Sequence, residues 1–252
     1  MEEKMCEKQE GKKQRCTAIV LAGGQGKRME SKVHKQYLLM GGRPMLYYSL
    51  QAFSVSPLID DIILVTGKGE ETYCREEIVE RYGIGKVRAI TEGGAERYHS
   101  VWNGLRAVEE DGYVFVHDGA RPFVDEDIIA RGFEEVQKSK ACVAAMPVKD
   151  TIKISDEKGY VKETPQRSYV WMVQTPQVFE TKLLKGAYGM LMRQPSVQVT
   201  DDAMVVEQML NYPIRFFHGS YENIKITTPE DLEIAEVFLR RQRKEESCIS
   251  GS

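Results

Sequence analysis

A doubly wound α/β fold with a mostly parallel sheet is predicted by two features of this chain. Five short apolar runs, at 17–22, 61–66, 86–91, 112–117 and 141–147, each read as a strand buried on both faces. Helical stretches at 44–53, 70–82, 96–108 and 125–138 alternate with them. Strand and helix at this spacing form βαβ units with right-handed crossovers. Such sheets bind ligands at the carboxyl ends of their strands, at a switch point.

The first strand is nearly all apolar and runs straight into glycines, as a central parallel strand should. The rhythm breaks after Val148. Residues 151–155 and 160–162 alternate around the turn 156–159, which contains Gly159 and reads as a hairpin. An isolated hairpin is marginal in water, so an arm at about 149–170 is expected to pack on a second subunit. Helices at 180–191 and 201–210, a strand near 214–217 and a last helix at 229–240 follow. The expected organisation is a disordered leader at 1–16, a single domain at 17–241 and a disordered tail at 242–252.

At 252 residues, 42% hydrophobic and 29% charged, the composition is that of an ordinary globular protein. The net charge of −3 gives no reason to expect nucleic acid or an anionic membrane as partner. No apolar run approaches the ~18 residues that span a bilayer. The leader mixes acidic and basic residues and lacks the apolar stretch of a signal peptide. The five cysteines are scattered, with no C-x-x-C pair, which points to a reducing cytoplasm rather than a disulfide framework. His34, His99, His117 and His218 are equally dispersed, so no zinc site is expected.

Chemistry is concentrated at the strand ends. Gly23, Gly24 and Gly26 follow the first strand, with Lys27 and Arg28 beside them. Glycines let backbone N–H groups approach a polyphosphate, and the two cations supply charge. The loop is not a P-loop, and Met29 stands where the dinucleotide pattern needs glycine. A tight turn alone would also use glycines, but three glycines with two cations favour phosphate. Lys35, taken alone, carries no role, and Gly93-Gly94 before Ser100 reads as a turn entering a helix. Asp118 ends the fourth strand, where a carboxylate facing the phosphate loop would hold Mg²⁺ directly or through water; a turn cap is about as common there. No Ser-His-Asp or Cys-His constellation accompanies these groups. Attack by an ionised phosphate oxygen on a nucleotide α-phosphate needs none, only positioning and neutralisation of developing charge.

Eight segments in order, from about 17 to 240, resemble the 2-C-methyl-D-erythritol 4-phosphate cytidylyltransferases. They are A-G-G-x-G-x-R-M from Ala22, H-K-Q-Y-L from His34, E-G-G…E-R…S from Glu92, H-D-G-A-R-P from His117 and V-K-D-T-I-K from Val148. Thr164-Pro165-Gln166-Arg167…Trp171…Gln174-Thr175-Pro176-Gln177, T-D-D-A from Thr200 and N-I-K-I-T-x-P-E-D-L from Asn223 complete them. The resemblance implies a Rossmann-like nucleotidyltransferase fold with a projecting β-hairpin arm, CTP and a small polyol phosphate as substrates, and a divalent cation, Mg²⁺ or another. It implies that Arg28 and Lys35 stabilise the pentavalent α-phosphate, that Ala22, Gly23 and Gly24 line the triphosphate, and that Gly94 and Ser100 read the cytosine. Asp118 would lie near the metal, Arg121 near the acceptor, and Lys225 on the acceptor phosphate. Thr151 and Arg167 would reach a neighbouring active site from the arm of a homodimer.

Two departures stand out. The Leu21-Ala22-Gly23-Gly24 loop equally suits the sister family, the ribitol-5-phosphate cytidylyltransferases, and Ala95 replaces a frequent acidic residue. Arg167 followed by Trp171 leans toward the methylerythritol enzymes. A sugar-1-phosphate nucleotidyltransferase ranks third, because 93–100 leaves a small pocket suited to a pyrimidine. A silent nucleotide-binding module would have no need to keep Arg28, Lys35, Asp118, Arg167 and Lys225 together.

Overall fold

The computed structural model describes residues 14–24, 34–194 and 198–250, with side chains through 244. From the amino end, β1 (Arg15–Ala22) leads through a turn at Lys35–Tyr37 and the short pair β2 (Leu39–Met40) and β3 (Arg43–Pro44) into α1 (Met45–Val55). Then β4 (Asp61–Thr66), α2 (Glu71–Tyr73, continued by a π-helical segment Cys74–Glu80), β5 (Val87–Glu92) and α3 (Arg97–Arg106) alternate. Next come β6 (Gly112–Asp118), α4 (Glu126–Ser139), β7 (Ala141–Pro147), β8 (Ile154–Ser155), β9 (Val161–Glu163) and β10 (Trp171–Glu180). The chain ends with α5 (Thr181–Leu191), α6 (Asp202–Leu210), β11 (Arg215–His218) and α7 (Pro229–Ser250).

Seven strands form one sheet in the order β11-β7-β10-β6-β1-β4-β5. β10 runs antiparallel to both its neighbours, while the other pairings are parallel, so the doubly wound, mostly parallel expectation holds. Burial of β1 explains its all-apolar sequence. Ala18 and Val20 join a core layer with Phe53, Phe115 and Ile128, whereas Ile19, pointing the other way, packs with Val101, Leu105 and Leu184. That two-residue period under helices on both faces is what a central parallel strand demands.

The register of β1 positions the site. Leu21 pairs with Val65 of β4 on one side and with Asp118 of β6 on the other, and Ala22 pairs with Thr66. The loops after β1, β4 and β6 therefore open at one crest, where the chain's crossovers diverge to either side.

Several elements differ from the sequence expectation. β10 was not anticipated: Gln174, Thr175 and Gln177 interrupt the apolar pattern, yet all three are buried and bonded. Pro176 falls where the pairing with β7 shifts register between Val173 and Gln177, which spares it a ladder hydrogen bond. The helix expected at 70–82 is a short α-turn passing into a π-helical segment. β1 begins at Arg15, and α7 continues to Ser250 rather than stopping near Arg240.

The hairpin is present but shorter, with Asp156 Oδ1 accepting from the backbone N–H of Lys158 and Tyr160, both at 2.9 Å. Its apolar residues Ile154, Tyr160 and Val161 are exposed. Cys16, Cys74 and Cys142 are buried thiols. Among the described residues, no helix is long and apolar enough to cross a membrane.

Candidate active site

Two glycine turns close on a single carbonyl. The Gly93 N–H donates to Thr66 O at 2.8 Å, and a Cβ on either Gly23 or Gly93 would sit 2.9 Å from that oxygen. Backbone at that separation leaves no room for a side chain, so both positions require glycine. Beyond them, the Gly94 N–H donates to Ser100 Oγ (3.1 Å), and that hydroxyl donates to Glu96 O (3.3 Å). The turn after β5 is thereby fixed to the first turn of α3. On the other side of β1, the Gly119 N–H donates to Leu21 O at 2.8 Å.

These loops enclose a cavity of about 530 Å³, lined by Ala22, Gly23, Gly24, Lys35, Gly94, Ser100, Asp118 and Lys225, with Glu96 and Arg97. That size falls within the range of small-molecule sites. Lys35 Nζ donates to Ile226 O at 3.1 Å, and its neighbours are pinned: Gln36 donates to Ala22 O, and Tyr37 to Glu70 at 2.7 Å. Arg121 lines a smaller adjoining cavity of about 170 Å³, which shares Arg97, Asp118 and Lys225 with the first. Thr151 and Arg167 line neither cavity; both are exposed on or beside the arm, where Arg167 donates to Lys149 O at 3.2 Å. Arg28 and Lys27 lie outside the described residues.

Asp118 is the electrostatic centre. Lys225 Nζ lies 2.6 Å from its Oδ2 and Arg97 Nε 3.4 Å from its Oδ1. Burial alone would push this carboxyl up, but Arg97, Lys225 and Arg121 together outweigh it and hold Asp118 well below the usual carboxylate range. Arg97 forks onto fully buried Asp202, with Nη1 at 3.0 Å and Nη2 at 2.8 Å from its two oxygens. Burial opposes the charge of Arg97, yet Asp202 and Asp118 raise its pKa well above normal. Arg121 is lowered, chiefly by burial, and donates to Asn223 O at 2.7 Å. His117 is fully buried, its ring nitrogens 3.1 Å from Arg121 O and from Thr175 Oγ1. Burial lowers its pKa to about 4, so it is a neutral peg at physiological pH.

Among the described residues, no three His, Cys, Asp or Glu side chains stand together as a metal cage. Asp118 nevertheless fits a cation carried in by a polyphosphate, since Mg²⁺ commonly takes one carboxylate and completes its shell with phosphates and water. Its Oδ2 is engaged by Lys225 at 2.6 Å, whereas among the described residues Oδ1 meets only the longer 3.4 Å approach of Arg97.

The sequence assigns no role to Arg97 or Asp202, although they fall in the E-R and T-D-D-A segments. Nothing local marks either, because their partnership spans 105 residues and depends on α6 docking against α3.

A family model described as 2-C-methyl-D-erythritol 4-phosphate cytidylyltransferase matches residues 16–241. The chain belongs to this family. It is 50% identical over 230 residues to the cytidylyltransferase of that description from Lachnoclostridium phytofermentans, covering 91% of this chain and 98% of the relative. Its identity to the Lachnospira eligens protein of the same description is 52% over 225 residues, covering 89% and 99%. Among solved structures it is similar to 4-diphosphocytidyl-2C-methyl-D-erythritol synthase from Anaerococcus prevotii, with a TM-score of 0.80, 37% identity and coverage of 90% and 96%. The cytidylyltransferase from Thermus thermophilus aligns with a TM-score of 0.71, 33% identity and coverage of 88% and 98%. As a family member the chain is a nucleotidyltransferase enzyme.

Proposed function

We propose that this cytidylyltransferase-family chain transfers the cytidylyl group of CTP to 2-C-methyl-D-erythritol 4-phosphate, releasing pyrophosphate. The observation that carries the reading is the crest cavity. It joins the glycine loop after β1, Lys35, the Gly94–Ser100 turn and the Asp118–Lys225 pair in one space. An acceptor phosphate oxygen forms a new bond to the α-phosphorus as the α–β bridging bond breaks, and pyrophosphate leaves with that electron pair. The attacking oxygen is already ionised, so neutral His117 has no proton to take.

Gly94 and Ser100, which line the cavity, are assigned to the cytosine, and Ala22, Gly23 and Gly24 to the triphosphate. Lys35, with Arg28, is assigned to the charge developing on the α-phosphate. Lys225 and Arg121 face the adjoining cavity, where they suit an acceptor phosphate. A divalent cation, Mg²⁺ by its preference for phosphate oxygens, would be held by Asp118 and would neutralise triphosphate charge. Thr151 and Arg167, which line neither cavity of their own chain, fit a homodimer in which each arm completes the neighbour's site. Three buried thiols and, among the described residues, no helix long and apolar enough to cross a membrane fit a cytoplasmic enzyme.

Pyrophosphate release from CTP and Mg²⁺, measured separately with methylerythritol 4-phosphate and ribitol 5-phosphate, tests the assignment. The methylerythritol acceptor is expected to be well ahead. Equal or reversed rates would move the chain's activity to the ribitol substrate.

A further inference from the structure

We infer that Asp202 is a positioning residue that holds the Arg97 guanidinium off Asp118, keeping that carboxylate open to a metal–nucleotide. The inference rests on the proposed role of Asp118 toward the cation. Arg97 sits between two carboxylates, and its planar fork can pair in two-pronged fashion with only one of them at a time. Asp202 takes the fork, with both terminal nitrogens at 3.0 Å or less, leaving only Nε for Asp118 at 3.4 Å.

The position of Asp202 is itself fixed. Gln177 Oε1 on β10 accepts from the backbone N–H of Asp202 (3.0 Å) and Ala203 (2.9 Å), while Gln177 Nε2 donates to Asp201 (2.9 Å). The amino end of α6 is thus clamped to the sheet, and the fork is clamped to α6. Without the Asp202 charge, the nearest carboxylate for the fork is Asp118, whose Oδ2 is already on Lys225. Protein cations would then cover both oxygens of Asp118, and a metal would have to displace one of them.

The test measures Mn²⁺ binding in the presence of CTP by electron paramagnetic resonance, beside thermal melts, in the full-length protein. Asp202→Asn is expected to weaken Mn²⁺ binding on the order of 10- to 100-fold, the usual cost of losing a group that orients a metal ligand. Tyr188→Phe removes the other side-chain hydrogen bond to Asp202 but leaves the fork, so its Mn²⁺ affinity should match the unmutated protein. In an Arg97→Gln background, Asp202→Asn should have no further effect, because no fork remains to close on Asp118. A shift of equal size in that background, or in Tyr188→Phe, means that Asp202 merely supports α6 and overturns the inference.

Asp202→Glu keeps the charge and carries the comparison if Asp202→Asn does not fold. Its longer carboxylate pushes the fork toward Asp118, and unchanged Mn²⁺ affinity in it overturns the inference. Asp118→Asn separates the two readings. Mn²⁺ binding indifferent to Asp118→Asn sinks the metal assignment itself, whereas loss there without loss in Asp202→Asn sinks only the positioning role.

Discussion

Lys225 Nζ lies 2.6 Å from Asp118 Oδ2, joining the loop before α7 to the end of β6. Arg97 and Arg121 also act on Asp118, so the carboxylate stays ionised without Lys225. Lys225 is partly exposed and lines both cavities, so its ammonium is placed to meet an incoming anion as well. Lys225→Ala should leave the fold intact but lower kcat/KM for the acceptor by roughly ten- to a hundredfold, the worth of a hydrogen bond to a charged group. The KM for CTP should move much less. Equal losses for both substrates would show that Lys225 serves to order Asp118 instead.

Lys35 bridges two loops. Its Nζ donates to Ile226 O, and the Ile226 N–H in turn donates to Ala120 O at 2.9 Å. If its charge is aimed at the α-phosphate, Lys35→Ala loses about 3–4 kcal/mol of transition-state stabilisation, a fall in turnover of a hundredfold or more. Arg28→Ala is expected to behave alike. A change confined to apparent CTP affinity would assign these cations to ground-state binding.

Gly94 is set hard against α3: a Cβ there would lie 2.2 Å from His99 Cβ. Gly94→Ala must push the turn off α3 and break its hydrogen bond to Ser100. Overpacking of this kind costs about 1–3 kcal/mol. It should appear as a weaker Kd for CTP in calorimetry, with the acceptor KM little changed. Unaltered CTP affinity would remove this turn from the nucleobase site.

The alkaline limb of stability should carry the signature of Cys74. Burial pushes this thiol up to about 11 from its ordinary 9.0, only partly offset by the hydrogen bond with Tyr37. Tyr37 is itself raised above its normal range, first by burial and then by Cys74. A group whose folded pKa is raised stabilises the fold below its unfolded pKa. That stability is lost as pH climbs from the unfolded to the folded value, here from 9 toward 11. About 3 kcal/mol is at stake for a two-unit shift. Thermal melts of the native protein should therefore fall more steeply than those of Cys74→Ala between pH 9 and 11. Parallel curves would show that Cys74 ionises as freely folded as unfolded.

The sheet was legible where one signal dominated. β1, β4, β6 and β7 are buried on both faces, so their apolar runs survive any reading frame. β10 was hidden because its middle residues, Gln174 to Gln177, are buried through hydrogen bonds rather than apolar contact. The same blindness hid Arg97 and Asp202, whose roles arise only once α3 and α6 meet. Glycines after strands, by contrast, mark tight turns, and Gly23 and Gly93 both meet Thr66 O as the turn reading requires. Lys35 and Lys225 were reached through ordered resemblance alone, since a single lysine has no local signature.

Arg167 stands apart from the cavity its own chain builds. It is exposed beside the arm, its side chain donates only to the Lys149 carbonyl among the described hydrogen bonds, and Ile154, Tyr160 and Val161 of the arm lie bare. An arm so poor in contacts would gain order by packing on a second copy, and a C2 pairing would carry each Arg167 to the partner's site. Arg167→Ala and Lys225→Ala proteins, each strongly impaired alone, should then gain activity over either when mixed. Random exchange places about half the chains in heterodimers, and in each heterodimer one site carries both lesions while the other carries none. Recovery should therefore approach roughly a quarter of the unmutated activity. Subunit exchange is verified independently by mass-tagged chains. Exchange without recovered activity would return Arg167 to its own subunit, as a support for the arm rather than a group in the neighbouring site.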